Sequence, residues 1–148
     1  MKHQELWLEN QICHRLYMAS NSVNRAYRPL LDALGLTYPQ YVVMMSLWQT
    51  DGVMVNELQS TTQIDNGALT LILKKIADKG LISLIPVADD RRKKRVSLTA
   101  DGKGLQEKAA SIPNAIRCRF PSLNDEDSTA LKLLLDKLLG DLQGQSDE

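Results

Sequence analysis

The stretch "DNGALTLILKKIADKGLISLIPVADDRRKKRVSLTADG" (65–102) decides the fold. Its first half reads as a helix. Asp65 stands where an N-cap belongs, Leu69, Ile72, Leu73 and Ile76 recur on one face, and Gly80 supplies the stop. Its second half reads as two short β runs, "LISLIPV" and "RVSLT", with "ADDRRKK" between them as a hairpin, and five consecutive basic residues, Arg91 to Arg95, stand at this tight turn. By itself an amphipathic helix is a solvated helix and a charge run is a solvated face. The two in succession, a helix and then a basic hairpin, mean more than either does alone.

Working outward, "VNELQSTTQI" reads as a short helix before this unit, "TDGV" (50–53) as a turn, and "LTYPQYVVMMSLW" as a helix with Pro39 tolerated in its first turn. Further upstream, Leu6 to Leu34 reads as one long helix closed by Gly35, with Leu6, Cys13, Leu16, Tyr17 and Val23 at loose helical spacing. Downstream, "ADGKGLQEKAASIPNAI" reads as a helix damaged near Pro113. A last helix follows, with Leu131, Leu134, Leu135, Leu138, Leu139 and Leu142 as its apolar positions, and the tail "GQSDE" reads as frayed. The fold class is mainly α with a small β-hairpin, a winged helix-turn-helix with long terminal helices. The chain is read as a single domain over 1–148, with 37–99 as the winged-helix core and 1–36 and 100–143 as Leu-rich terminal helices suited to a dimer interface.

Length and composition agree with this. At 148 residues the chain can bury a real core. No run approaches the roughly 20 apolar residues of a membrane span, and "MKHQELWLENQ" is too polar for a signal peptide. The expectation is a cytoplasmic protein with no membrane partner, whose cysteines are normally reduced. The two cysteines, Cys13 and Cys118, make no CxxC motif and no four-ligand metal set, so neither metal nor cofactor is expected. The formal net charge is zero, yet its distribution is uneven. Lys74 to Arg95 holds eight Lys and Arg against three Asp, whereas Asn124 to Glu148 holds seven Asp and Glu against two Lys. A basic centre with an acidic end suits a nucleic-acid face.

Double-stranded DNA is therefore the expected partner. A recognition helix enters the major groove with small or polar residues in its first turns. Asn66, Gly67 and Thr70 fit that need, Lys74 follows on the outward face, and Leu71 is an apolar outward residue suited to a thymine methyl. Asp90, Arg91, Arg92, Lys93 and Lys94 form the wing, and Arg at a wing tip suits the narrow minor groove.

These residues resemble the MarR family of dimeric bacterial transcription regulators over nearly the whole chain. "DDRRKKRVSLTADG" is similar to the family's wing pattern, with Asp90 and Arg92 at the places of its Asp and tip Arg. "DNGALTLILKKIADKGLI" resembles the family's recognition helix, departing from it at Asn66, Ala68 and Leu71, where the family often has Ser, Thr and Pro. Within the family the chain looks like the OhrR branch of organic hydroperoxide sensors. "LENQICHRLYMASNSVNRAYRPLLDALGLTYPQYVVMMSLW" holds that branch's reactive cysteine at Cys13 and the two tyrosines that hydrogen-bond it, Tyr27 and Tyr38. "IPNAIRCRF" holds Cys118 at the place of the second cysteine in two-cysteine members.

The resemblance implies a homodimeric repressor on a near-palindromic operator, with recognition helices about 34–36 Å apart. An organic hydroperoxide would oxidise Cys13 to a sulfenic acid, and the partner subunit's Cys118 would trap it as a disulfide, releasing the DNA. Residue geometry bears on this. Cys13 and Tyr27 are 14 positions apart, so a straight helix separates them by roughly 21 Å; unless the helix breaks, Tyr27 meets no thiol of its own chain, and the resemblance implies that it meets that of an antiparallel copy. Phenol donors near a thiolate stabilise its charge. Leu16, Tyr17, Met44, Met45 and Trp48 are the expected apolar pocket favouring an organic peroxide. His14 and Arg15 read as surface residues. Two other classes stand beside this reading. One is a MarR-type repressor released by a small apolar or phenolic ligand, with Cys13 incidental. The other is a thiol peroxidase, against which the basic wing argues.

Overall fold

The computed structural model describes residues 2–145. They form two compact units that divide between Ile112 and Pro113. In the first, two 3-10 turns (Gln4–Leu6 and Leu8–Asn10) precede α1 (Ile12–Asp32), α2 (Tyr38–Gln49), β1 (Val53–Met54), α3 (Val55–Thr62), α4 (Asn66–Asp78), β2 (Ile82–Val87), β3 (Asp90–Leu98) and α5 (Ala100–Ala109). The short helix α6 (Ile112–Arg117) opens at the division, and α7 (Asp125–Gln145) belongs to the second unit. Gly144 and Gln145 continue α7, and the rest of the tail expected to fray lies outside the described residues.

The centre of the first unit is α2. Thr37 caps it through a capping box. The Gln40 backbone N–H donates to Thr37 Oγ1 (3.3 Å), and the Thr37 N–H donates to Gln40 Oε1 (3.1 Å). Pro39 sits in the first turn, as expected. Val43, Met44 and Leu47 are fully buried, and Gln40 and Tyr41 are nearly so. Against them pack Leu31 and Leu36 from α1 and its exit, Leu58 from α3, Leu69, Leu73 and Ile76 from α4, and Ile82 and Val96 from the sheet. Gln40 is a buried polar side chain, satisfied by Lys79 Nζ donating to its Oε1 at 2.8 Å. Lys79 also donates to the Gly35 carbonyl, so the end of α4 is tied to the α1–α2 turn.

The strands differ from the expected hairpin in two ways. They make a three-stranded antiparallel sheet in the order β1-β3-β2, because Val53 and Met54 pair with Val96 and Arg95. Two residues after a turn carry too little alternation to be read as a strand, and only the pairing reveals them. The basic run also lies in β3 instead of at the turn, which is Ala88–Asp89. Pro86 pairs with Lys94 and Val87 with Asp90, so Arg91, Arg92 and Lys93 bulge from the ladder without β2 partners.

Two helix boundaries are also corrected. α1 begins at Ile12 and not at Leu6, because Gln11 donates to the Glu5 and Trp7 carbonyls and holds the preceding residues in separate 3-10 turns. The helix foreseen as damaged near Pro113 ends at Ala109 and restarts at Ile112. In the second unit, Asn124 and Asp127 exchange side-chain bonds with each other's backbone N–H (2.8 and 3.1 Å) and cap α7.

Gly102 joins the sheet to α5. Its carbonyl accepts from Trp48 Nε1 (2.9 Å), and its N–H donates to Thr99 Oγ1 (3.1 Å). A Cβ there would lie 2.1 Å from the Leu81 carbonyl oxygen, a backbone atom that cannot step aside. Gly102→Ala is expected to cost about 2 kcal/mol or more, in the range of core overpacking. Thermal unfolding followed by circular dichroism checks this, and an unchanged melting temperature would contradict it.

Candidate nucleic-acid interface and redox site

The α4 face divides as expected. Leu69, Leu73 and Ile76 are buried, while Asn66, Gly67, Thr70, Leu71 and Lys74 are exposed. Asp65 occupies the N-cap position but makes no side-chain cap bond; its carbonyl instead accepts from the Leu69 N–H at 2.8 Å. Asn66 lines a cleft with Asn56, Glu57 and Gln59 of α3, with Arg92 and Lys93 of the bulge and with Lys94 beside it. The start of the candidate recognition helix and the wing therefore face one space. Asn56 and Gln59 escaped the sequence reading. Their signal, exposed amides on a short helix, is shared with any solvated helix.

The wing is held by carboxylates. Asp90 Oδ1 accepts from the Arg92 backbone N–H (3.0 Å) and from Arg92 Nε (3.3 Å). The Arg92 side chain is 92% exposed, so it is steered at its base while its far end reaches into solvent. Asp51, also missed, is the second clamp. Its Oδ1 accepts from the Gly52 N–H and from the Leu98 N–H, both at 2.8 Å. Arg95 donates to the Gly52 carbonyl. The last residue of the basic run thus braces the β1 turn, while Arg91 to Lys94 are exposed.

The residues expected to form a redox site lie on separate elements, with Cys13 and Tyr27 at different points along α1. Cys13 and Cys118 are free thiols and both exposed. Cys13 lies in the first turn of α1 and Cys118 just past α6. Tyr27 lies four turns along the unbroken helix, roughly 21 Å from Cys13 at 1.5 Å per residue. It joins an aromatic cluster of its own chain. The Tyr27 and Tyr38 rings are 4.8 Å apart between centroids, Tyr27 and Tyr41 5.9 Å, and Tyr41 meets Trp48 edge-on at 6.5 Å. Burial, then the neighbouring Tyr38 and Tyr41, push the Tyr27 phenol up to about 12, and burial raises Tyr41 as well. Tyr27 therefore keeps its proton, and its capacity to donate, at any physiological pH.

Within one chain the residues foreseen for an apolar pocket lie in different surroundings. Met44 is locked in the core, the Trp48 indole is committed to Gly102, and Tyr17 is largely exposed and stacks on His14 at 6.4 Å. The open depression bordering the start of α1 is lined instead by Trp7, Leu8, Glu9, His14, Arg15 and Met18. Folding the segment before α1 into 3-10 turns brings Trp7 and Leu8 beside α1, which no helical spacing could show.

Residues 36–94 match the MarR family. The organic hydroperoxide resistance transcriptional regulator of Bacillus subtilis (strain 168) is 38% identical over 138 residues, which span 93% of each chain. This chain belongs to the MarR family. The MarR-family regulator is a DNA-binding transcriptional regulator and not an enzyme. Its fold is similar to that of reduced AbfR bound to DNA, with a TM-score of 0.80 at 26% identity over 98% of this chain and 99% of that one. Overoxidized AbfR bound to DNA gives a TM-score of 0.76 at 26% identity over 96% and 99%. Among the described residues no helix is long and apolar enough to cross a membrane.

The Tyr27 shift has a measurable sign. A phenol held at about 12 in the fold ionises near 10 once unfolded, so the unfolded chain loses the proton first. The contribution is fully present below pH 10 and is lost as pH climbs from 10 toward 12. Denaturation midpoints measured from pH 9 to 12 should fall less steeply in Tyr27→Phe than in wild type; parallel curves would rule out the shift.

Proposed function

We propose that this regulator is a homodimeric repressor that senses organic hydroperoxides through Cys13 and traps the oxidised state with the partner subunit's Cys118. The observation that carries the reading is the similarity of nearly the whole chain, Cys13 region included, to a regulator of organic hydroperoxide resistance. The geometry supports it. An exposed thiol near one end of α1 and the packed Tyr27–Tyr38 pair near the other make two half-sites. An antiparallel second copy would join each Cys13 to the partner's Tyr27 and the partner's Tyr38. Exposed apolar side chains near the start of α1 (Leu6, Leu8, Ile12, Tyr17, Met18) and along α7 (Leu131, Leu133, Leu134, Leu139, Leu142) give a second copy surface to cover.

The chemistry balances as a two-electron exchange. The Cys13 thiolate attacks one peroxide oxygen, the O–O bond breaks, and the other oxygen leaves as an alcohol after taking a proton. Cys13 is then a sulfenic acid. The partner's Cys118 sulfur attacks the Cys13 sulfur, an S–S bond forms, and the hydroxyl leaves as water. Hydrogen bonds from the two phenols stabilise the attacking thiolate. The bridge requires Cα atoms within about 7 Å, so it draws the start of one α1 toward the end of the partner's α6. This strains the dimer and changes the spacing of its two DNA-reading units. On DNA, the first turns of α4 (Asn66, Gly67, Thr70, Leu71, Lys74) enter the major groove. The wing (Asp90, Arg91, Arg92, Lys93, Lys94) lies over phosphates, with Arg92 in the minor groove.

Cys13→Ser should bind operator with or without peroxide. Cys118→Ser should still form the Cys13 sulfenic acid but no cross-link, and should overoxidise. Mass analysis of the oxidised protein under denaturing, non-reducing conditions checks both. A covalent dimer joined at Cys13 and Cys118 is expected, and an internal Cys13–Cys118 bond would overturn the inter-subunit bridge. Arg92→Ala should weaken operator binding about tenfold while shifting stability by no more than about 0.5 kcal/mol, as for other surface changes. Unchanged affinity at physiological salt would remove the wing from the interface.

A further inference from the structure

The outward face of α4 is short of hydrogen-bonding groups. Gly67 and Ala68 are exposed and offer no side-chain donor or acceptor. The Thr70 hydroxyl is exposed too, but its proton is committed to the Asn66 carbonyl of its own helix at 2.9 Å. Besides Asn66, the first two turns present Leu71, a large apolar side chain that is 61% exposed. It stands two residues from each of the buried Leu69 and Leu73, so it projects from the side of the helix opposite the core. Beside the exposed Asn66 amide and Lys74 ammonium, this face offers few side-chain donors, and Leu71 gives it a large exposed apolar group. The apolar feature that a base pair presents in the major groove is the C5-methyl group of thymine.

We infer that Leu71 is a specificity-determining residue of this regulator and reads the 5-methyl group of thymine in the major groove of its operator. The inference rests on the reading of α4 as the recognition helix and names what that helix recognises. The amide of Asn66, in the cleft shared with the wing, suits the edge of an adenine, and an A·T pair supplies both features. Removing the methyl by placing uracil for thymine leaves base pairing, phosphates and minor-groove edges in place. It therefore separates this contact from those of the wing.

The test uses the full-length reduced protein and a duplex recovered from a random-sequence library by selection with the wild type. That duplex is then synthesised with thymine or with uracil in its place, and binding is measured by fluorescence anisotropy. Wild type is expected to bind the uracil duplex about fourfold more weakly per half-site, the factor that burial of one methyl-sized group supports. Leu71→Ala should bind both duplexes alike. Alanine is a better helix former than leucine and the site is exposed, so that variant folds. Equal binding of both duplexes by wild type, or full thymine preference retained by Leu71→Ala, would overturn the assignment of Leu71 while leaving α4 as the DNA-binding helix. Failure of the selection to enrich any duplex would instead remove the DNA reading on which the inference stands.

Discussion

Burial of α2 on nearly every side is the constraint from which the rest of the first unit follows. Val43, Met44 and Leu47 have no exposed surface, and the helices and sheet around them exist as amphipathic covers for this one apolar rod. α4 places Leu69, Leu73 and Ile76 against α2, which forces Asn66, Gly67, Thr70, Leu71 and Lys74 outward. α1 reaches the same rod through Leu31, and Tyr41 of α2 meets the Tyr27–Tyr38 pair. The candidate DNA face and the aromatic half of the candidate redox site are thus two outer surfaces of one packed core. The side chains between them are buried from solvent and belong to the same close-packed core.

Charge in the wing is divided between holding and reaching. Asp90 steers Arg92 from its base, Asp51 pins β1 to the end of β3 through two backbone N–H groups, and Arg95 braces the Gly52 carbonyl. The residues left to reach outward, Arg91 to Lys94, project from a bulge and from exposed strand. A flat two-residue hairpin would pair every one of these residues. The bulge frees three of them and lets a strand present basic side chains where a turn had been expected. Exposed ion pairs contribute little to stability, so Asp90 acts on direction more than on folding.

The thiol and the phenols are kept apart by the stiffness of α1. Pro29 sits inside this helix without ending it, and the helix runs unbroken from Ile12 to Asp32. A break between Cys13 and Tyr27 would let one chain build its own site. With no break, the proposed chemistry needs two copies, and assembly of the dimer becomes the same event as assembly of the sensor. Burial of Tyr27 fits that role, since a phenol held up to about 12 donates its proton into a hydrogen bond and does not lose it.

Much of this molecule is legible in the residues themselves. The α4 periodicity, Pro39 in the first turn of α2 and the Asp90–Arg92 pair are local patterns, and local patterns survive in one dimension. What tertiary structure alone decided involves partners distant in the chain. β1 exists only because β3 pairs with it, some forty residues later. Asp51, Arg95 and Trp48 acquire their jobs from Leu98, Gly52 and Gly102. The aromatic cluster forms because α2 turns back on α1, and only the packing shows that Met44 is committed to the core and the Trp48 indole to Gly102. A side chain's neighbours along the helix are set by 3.6 residues per turn, but its neighbours across the fold are set by which surfaces must be buried together.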